Sequence, residues 1–159
     1  MIAGLGAKAM GDAELGGALS LLRAFLAADT HYRDSAEAYG DRGPEALDHA
    51  LRLFLAHPEL GFVWLALDAG TVVGGCVVCY AISTSAGAIV AKLDDVCVLP
   101  GREGQGIGTV LIDSLKADLR RRGVRRIDTS CHLQNRRARD FYVRLGFRTL
   151  NEERLALVL

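Results

Sequence analysis

The sequence is poor in the residues that stiffen or cross-link a chain. Its 159 residues hold 3 prolines, 1 tryptophan and 4 cysteines, and aromatic residues make up 6%. Cys76, Cys79, Cys97 and Cys131 each sit in apolar, strand-like surroundings, so buried reduced thiols are expected rather than a disulfide framework. Cys76-Val77-Val78-Cys79 imitates a metal or redox motif, but residues three apart on a strand point to opposite faces. None of the 4 histidines has metal-ligand spacing, and no metal is expected. No apolar run reaches the ~18–20 residues that span a bilayer. The first ten residues lack the basic stretch and cleavage site of a secretory leader. A cytoplasmic chain without a membrane partner is the expectation. Repeats and low-complexity tracts are absent, and so is the Gly-x-x-x-x-Gly-Lys-Ser/Thr string of a P-loop.

What is present reads as one domain over residues 1–159. Half the chain is hydrophobic and 24% is charged, as in ordinary folded proteins. The formal net charge is zero, but it is unevenly spread. Residues 1–101 carry 6 Lys and Arg against 12 Asp and Glu, while residues 102–148 carry 12 against 5. An anionic ligand on the C-terminal half and a cationic one on the N-terminal half would suit that asymmetry. Arg120-Arg121-Arg122 and Arg125-Arg126 have no recognition motif or interleaved aromatics around them. They read as a solvated face, and no nucleic acid is expected.

Along the chain, residues 2–10 suggest a short first strand. Asp12 is placed to cap a helix with Leu15, Leu19, Leu22, Phe25 and Leu26 on its apolar face. Residues 31–43 are polar and aperiodic, an ordered loop or broken helix. Pro44 suits the first turn of a helix striped by Leu47, Ala50, Leu51, Phe54 and Leu55. Strands are predicted at 62–67, 72–82 and 88–98, the first two joined by the turn Asp68-Ala69-Gly70-Thr71. A helix follows to Arg122, with Gly123 as its C-cap. A strand at 124–131, a helix from Asn135 through Leu145, and short strands at 147–150 and 155–159 complete the prediction. The strand–helix–strand unit implies one parallel pair in a mixed sheet, an α/β domain that is not doubly wound.

The stretch that organises the rest is 93–109. Val96, Val98 and Leu99 favour extended backbone, Pro100 ends the strand, and Gly104, Gly106 and Gly108 open a helix. Backbone N–H groups at a helix N-terminus receive an anion, typically phosphate. A Rossmann fingerprint fails on spacing and context, because the glycines alternate and follow an antiparallel hairpin. A second stretch decides between the readings. Residues 135–147 read Asn-Arg-Arg-Ala-Arg-Asp-Phe-Tyr-Val-Arg-Leu-Gly-Phe. Together with Val98-x-Pro100 and Gly104-Gln105-Gly106-Ile107-Gly108, about thirty residues earlier, they resemble the GNAT superfamily of acyl-CoA-dependent N-acetyltransferases. The resemblance implies a GNAT fold: a mostly antiparallel central sheet with a parallel strand pair, flanked by about four helices. The remaining predicted elements fall in that family's order.

The family's reaction is direct acetyl transfer from acetyl-CoA to an amine. An alkylammonium, pKa near ~10, must first lose a proton, the oxyanion needs fixed donors, and the leaving thiolate benefits from a proton. By resemblance, Tyr142 is the acid that protonates the leaving sulfur. Asp94 falls where some polyamine- and amino-acid-acetylating members carry a glutamate base. Its neighbour Asp95 is the alternative acceptor-site acid, and adjacent strand residues face opposite ways. The backbone of Val96, Cys97 and Val98 is expected to hold the pantetheine arm and polarise the thioester. Cys97 as a nucleophile is not expected. Gly104, Gln105, Gly106, Ile107, Gly108 and Thr109 are expected to cradle the pyrophosphate. Asn135 matches a residue that binds the cofactor arm, a role compatible with capping its own helix. Where the family usually has Arg or Gln, this chain has Glu103, expected to point outward so that Arg102 supplies the charge. Arg137 and Arg144 are further candidates for the adenosine phosphates. His31, Tyr32, Asp34 and Tyr39 lie where this family lines its acceptor pocket.

The expected activity is therefore acetyl-CoA-dependent N-acetylation of a primary amine on a small cationic acceptor. A non-catalytic acyl-CoA-binding module, or an enzyme for peptide or protein amines, is the alternative. Dimerisation is common in the family, which makes residues 155–159 the candidate contact of a homodimer.

Overall fold

A computed structural model describes residues 4–35, 38, 40 and 42–158, without the side chains of Asp34 and Ser35. Tyr39, one of the expected acceptor-pocket residues, lies outside them. The elements run β1 (Leu5–Ala9), a 3-10 turn (Asp12–Glu14), α1 (Leu15–Ala28), α2 (Thr30–Ser35), α3 (Pro44–Ala56), β2 (Gly61–Asp68), β3 (Thr71–Ser83), β4 (Ala88–Val98), α4 (Ile107–Arg121), β5 (Ile127–Thr129) and α5 (Arg136–Arg144). One sheet orders them β1-β2-β3-β4-β5. Every pairing is antiparallel except β4 with β5, which is parallel. This is the mixed α/β sheet that the sequence predicts.

The two faces of the sheet carry two apolar layers. On one, Phe62, Trp64, Val73, Cys76, Val78 and Leu93 pack against Ile107, Leu111, Ile112, Leu115 and Leu119 of α4. On the other, Val63, Leu65 and Cys97 pack against Ala18, Leu21 and Leu22 of α1 and Leu51 of α3. Each fully buried leucine or isoleucine stabilises the fold by about 1.5–3 kcal/mol. Cys76 belongs to the first layer, whereas Cys79 lies beside Leu53 and Phe54 of α3 on the opposite side. The two ends of the Cys-x-x-Cys string thus face away from each other.

Three expectations are corrected. Asp12 does not cap α1; it lies in the 3-10 turn, where Gly11 is the N-cap and donates its N–H to the Glu14 carboxylate at 3.0 Å. β5 is limited to Ile127–Thr129 rather than 124–131, because β4 offers it only Ala91, Lys92 and Leu93 as partners. Described residues of 147–150 and 155–159 form no strand. Phe147 donates its N–H to the Tyr142 carbonyl at 3.0 Å, and Gly146, at φ 92, donates to Val143 at 3.0 Å. That helix-ending motif commits the backbone that a strand ladder would need. Further on, Leu155 and Leu157 are 88% and 86% exposed. Their apolar alternation finds no surface to bury against, and alternation alone does not make a strand.

Pro44 is at the start of α3, as its fixed φ favours. Gly123, at φ 77, closes α4 by donating to the Arg120 carbonyl. The basic residues on either side of it are largely paired with acids. Arg121 and Arg122 both hold Asp118, Arg122 also lies 4.6 Å over the Phe62 ring, and Arg126 holds Asp128 through two contacts. Among the described residues no helix is long and apolar enough to cross a membrane.

Candidate active site

The site begins at an irregularity in β4. Gly75 pairs with Cys97 and Val77 with Asp94, so Asp95 and Val96 together oppose Cys76 alone. This is a β-bulge, and Asp95 carries it with a φ of 51, a conformation unusual for a side-chain-bearing residue. The simple alternation expected for Asp94 and Asp95 therefore does not apply. The bulge resets the register: Val96 and Val98 pack with the α4 layer and Cys97 with the α1 layer.

On its other side β4 loses its neighbour at the same place. The last pair with β5 is Leu93 with Thr129. From Asp94 to Val98 the β5-facing edge of β4 has no ladder partner among the described residues. A slot between two parting strands results, bordered by backbone groups that need hydrogen bonds.

The loop after β4 leads into this slot. Gly104 and Gly106 adopt φ values of 74 and 83, and Gly106 is the N-cap of α4. A Cβ at either would meet nothing within 4 Å, so both present bare backbone to open space. Val110 is the first α4 residue whose N–H finds a helical acceptor, Gly106 at 3.1 Å. The N–H groups of Ile107, Gly108 and Thr109 precede it and point out of the helix end. That end carries partial positive charge.

Charged side chains lie around this loop rather than over it. Glu103 is exposed and accepts the Gly101 N–H at 2.7 Å. Arg102 donates to Asp68 at 2.8 Å and to Gln105 at 3.0 Å, so its guanidinium ties the loop to the end of β2. Arg137 and Arg144 are exposed on α5. Asn135 caps α5, its side-chain oxygen accepting the Ala138 N–H at 3.0 Å.

A profile of the Acetyltransferase (GNAT) family matches residues 25–147. The chain belongs to the GNAT acetyltransferases. The fold agrees. A transcriptional regulator from Bacillus halodurans C-125 superposes with a TM-score of 0.77 at 21% identity, over 98% of this chain and 99% of that one. A Trypanosoma brucei acetyltransferase gives 0.70 at 22%, over 98% and 99%. An aminoglycoside acetyltransferase from an uncultured soil metagenomic sample gives 0.69 at 20%, over 98% and 95%. No curated protein matches by sequence. As a GNAT member the protein is an N-acetyltransferase, and the family's usual acetyl donor is acetyl-CoA.

Within this GNAT site, Tyr142 projects from α5 into the α4-side layer, its ring 5.4 Å from Phe141 and 5.3 Å from Phe147. Burial pushes its hydroxyl up to about 12, against the pull of a hydrogen bond with Thr129. Thr129 in turn donates to the Leu93 carbonyl at 2.9 Å. Tyr142 is thus a protonated phenol, linked through β5 to the last paired residue of β4.

Asp94 and Asp95 differ in their surroundings. Asp94 accepts a salt bridge from Lys92 at 2.8 Å. Burial pushes Asp95 up to about 6; the neighbouring Asp94 and Asp29 charges add to this, while Lys92 and Arg154 oppose it. Two adjacent acids are thereby separated into an anchored carboxylate and one that titrates near neutrality. Cys97 is buried with its thiol pushed up to about 12 by desolvation and by the charge of Asp95. A thiol so far from ionising does not act as a nucleophile near neutral pH.

A clasp closes the α1 side. Asp29 caps α2 by accepting the N–H groups of His31 at 2.9 Å and Tyr32 at 3.1 Å. The His31 ring stacks on His132, with centroids 4.7 Å apart and planes at 18°. His132 Nδ1 accepts the Gln134 N–H at 3.2 Å, which places its proton on Nε2. Asp34 lies on α2. Sequence reading missed Lys92, Asp29, Thr129 and His132. Their roles come from neighbours distant along the chain, and only the Lys92-x-Asp94 spacing on one strand face offered a signal.

Proposed function

We propose that the protein binds acetyl-CoA between β4 and β5 and acetylates the primary amine of a small cationic acceptor lying on the α1 face. The single observation that carries the reading is the bulge at Asp95. It coincides with the parting of β4 from β5, so a raised-pKa carboxylate and a run of unpaired backbone lie at one point.

The residues fit the donor. Bare backbone at Gly104 and Gly106, with the Ile107, Gly108 and Thr109 N–H groups, suits a pyrophosphate, and Gln105 stands between them on the loop. Arg102 orders that loop through Asp68 and Gln105. Val96, Cys97 and Val98 offer backbone to the pantetheine arm, and Asn135, at the start of α5, is the side chain assigned to that arm. When bound, acetyl-CoA supplies the activated acetyl group. Asp95, ionised above about pH 6, takes the ammonium proton of the acceptor, directly or through water. Asp94 holds the cation. The Tyr142 hydroxyl, protonated at all neutral pH values, gives a proton to the departing sulfur. The whole of residues 1–159 acts as one domain in this reading, in the cytoplasm. Residues 155–159 are proposed as the contact of a homodimer.

Two measurements test it. Acetyl-CoA raises the melting temperature, and a thiol-release assay over a panel of primary amines yields free CoA with at least one of them. No stabilisation by acetyl-CoA would sink the reading. Stabilisation without thiol release from any amine would reduce the protein to an acyl-CoA-binding module.

A further inference from the structure

An apolar cleft of about 250 Å³ opens beside α3, lined by Ala50, Leu53, Phe54, Leu60 and Cys79. Leu60 and Leu53 are 59% and 44% exposed, large apolar groups left facing water at the mouth of one concavity. The floor is Cys79, on the same face of the sheet as Asp94. Val77 is the ladder partner of Asp94, and Cys79 is the next residue of β3 on that face, about 7 Å further along. Burial raises the Cys79 pKa, and the charges of Asp94 and Asp95 raise it further, so the acids lie within electrostatic reach of the cleft floor.

Lys92 marks the path between them. It is the ladder partner of Cys79, and its ammonium lies 2.8 Å from Asp94. The chain itself already places an aliphatic stem beside the floor residue and ends it in a primary ammonium on Asp94. The Lys92 side chain is 47% exposed and that of Asp94 25%, so the pair is partly open to solvent and another ammonium can displace Lys92 from it.

We infer that the cleft binds the apolar body of the acceptor, a primary alkylamine or arylalkylamine with a single ammonium that meets Asp94 and Asp95. This rests on the transfer reading above and narrows its acceptor. A polyamine of the same length would bring a second ammonium against Leu53, Phe54 and Leu60, and none of the residues that line the cleft carries a charge to offset its desolvation. An aliphatic or aromatic end buries the two exposed leucines instead.

Calorimetry with hexylamine and hexamethylenediamine, on the free protein and on the CoA-loaded protein, tests the cleft without turnover. The two probes differ only in the terminal group that enters it. Hexylamine is expected to bind at least about tenfold more tightly. Leu53→Asp and Leu60→Asp, both at exposed positions, should each erase that preference with the melting temperature little changed; either variant that folds suffices. Equal affinities, tighter binding of the diamine, or a preference that survives both substitutions would overturn the inference. A preference for hexylamine without thiol release from acetyl-CoA supports the cleft and rejects the transfer reading. Thiol release with the diamine alone rejects the cleft and leaves transfer standing.

Discussion

A Cβ on Gly108 would lie 3.3 Å from the ring of Phe141. These residues belong to the two stretches on which the family resemblance rests, and their contact is how the first turn of α4 seats against α5. The same contact helps seat Tyr142, the next residue of α5, whose ring packs on Phe141 and Phe147. Gly108→Val should push the helices apart. We expect a loss of about 1–3 kcal/mol in denaturant unfolding, as for other overpacked sites, with weaker acetyl-CoA binding. Unchanged stability and affinity would mean that α5 shifts freely and does not position Tyr142.

Gly106 tests the phosphate cradle separately. Its φ of 83 favours glycine by itself, and the empty space on its Cβ side leaves room for a ligand to approach the backbone closely. Gly106→Ala should cost about 1–2 kcal/mol of stability from the left-handed backbone alone. It should also weaken acetyl-CoA binding about tenfold or more in calorimetry, because the methyl blocks the approach. Affinity equal to wild type would move the pyrophosphate elsewhere.

Tyr142→Phe removes a protonated hydroxyl while keeping the ring that packs on Phe141 and Phe147. We expect kcat to fall by about a hundredfold or more, the usual range for a general acid, with acetyl-CoA affinity within about threefold of wild type. A kcat that does not change would assign sulfur protonation to water. Thr129→Val, which deletes the hydrogen bond to the hydroxyl, should lower kcat less than the loss of Tyr142 does.

Asp95 gives a pH prediction with opposite signs for stability and rate. Its folded pKa, about 6, lies above the ordinary 3.8, so the native state holds a proton that the unfolded chain has released between those values. Stability from this group is therefore greatest below pH 3.8, declines as pH rises to about 6, and stays at its lowest above that. Asp95→Asn should raise the melting temperature at pH 8 and lose the advantage near pH 4. The rate should move the other way. kcat/KM should fall below about pH 6 in the wild type, and Asp95→Asn should reduce it about tenfold or more at neutral pH. Asp94→Asn should chiefly raise KM for the amine. A pH–rate limb that survives in Asp95→Asn and vanishes in Asp94→Asn would exchange the two roles.

Much of this protein follows from its sequence by itself. The three-strand antiparallel run, the helix opened by Gly106, the Asn135 cap and the closure at Gly123 are local events. Periodicity, proline, glycine and capping side chains determine them within a few residues. Family membership was legible for the same reason, since both motifs are short contiguous strings. The tertiary structure decided what depends on partners far along the chain. The bulge at Asp95 exists because β3 offers Cys76 alone opposite two residues of β4. Arg102 turns to Asp68, which lies 34 positions away, and no local rule links them. The strands expected after α5 do not form, because Phe147 spends its N–H on the helix end and the leucines beyond it find no apolar surface. Asp94 and Asp95 are chemically alike in sequence; Lys92 on one and burial on the other make them different.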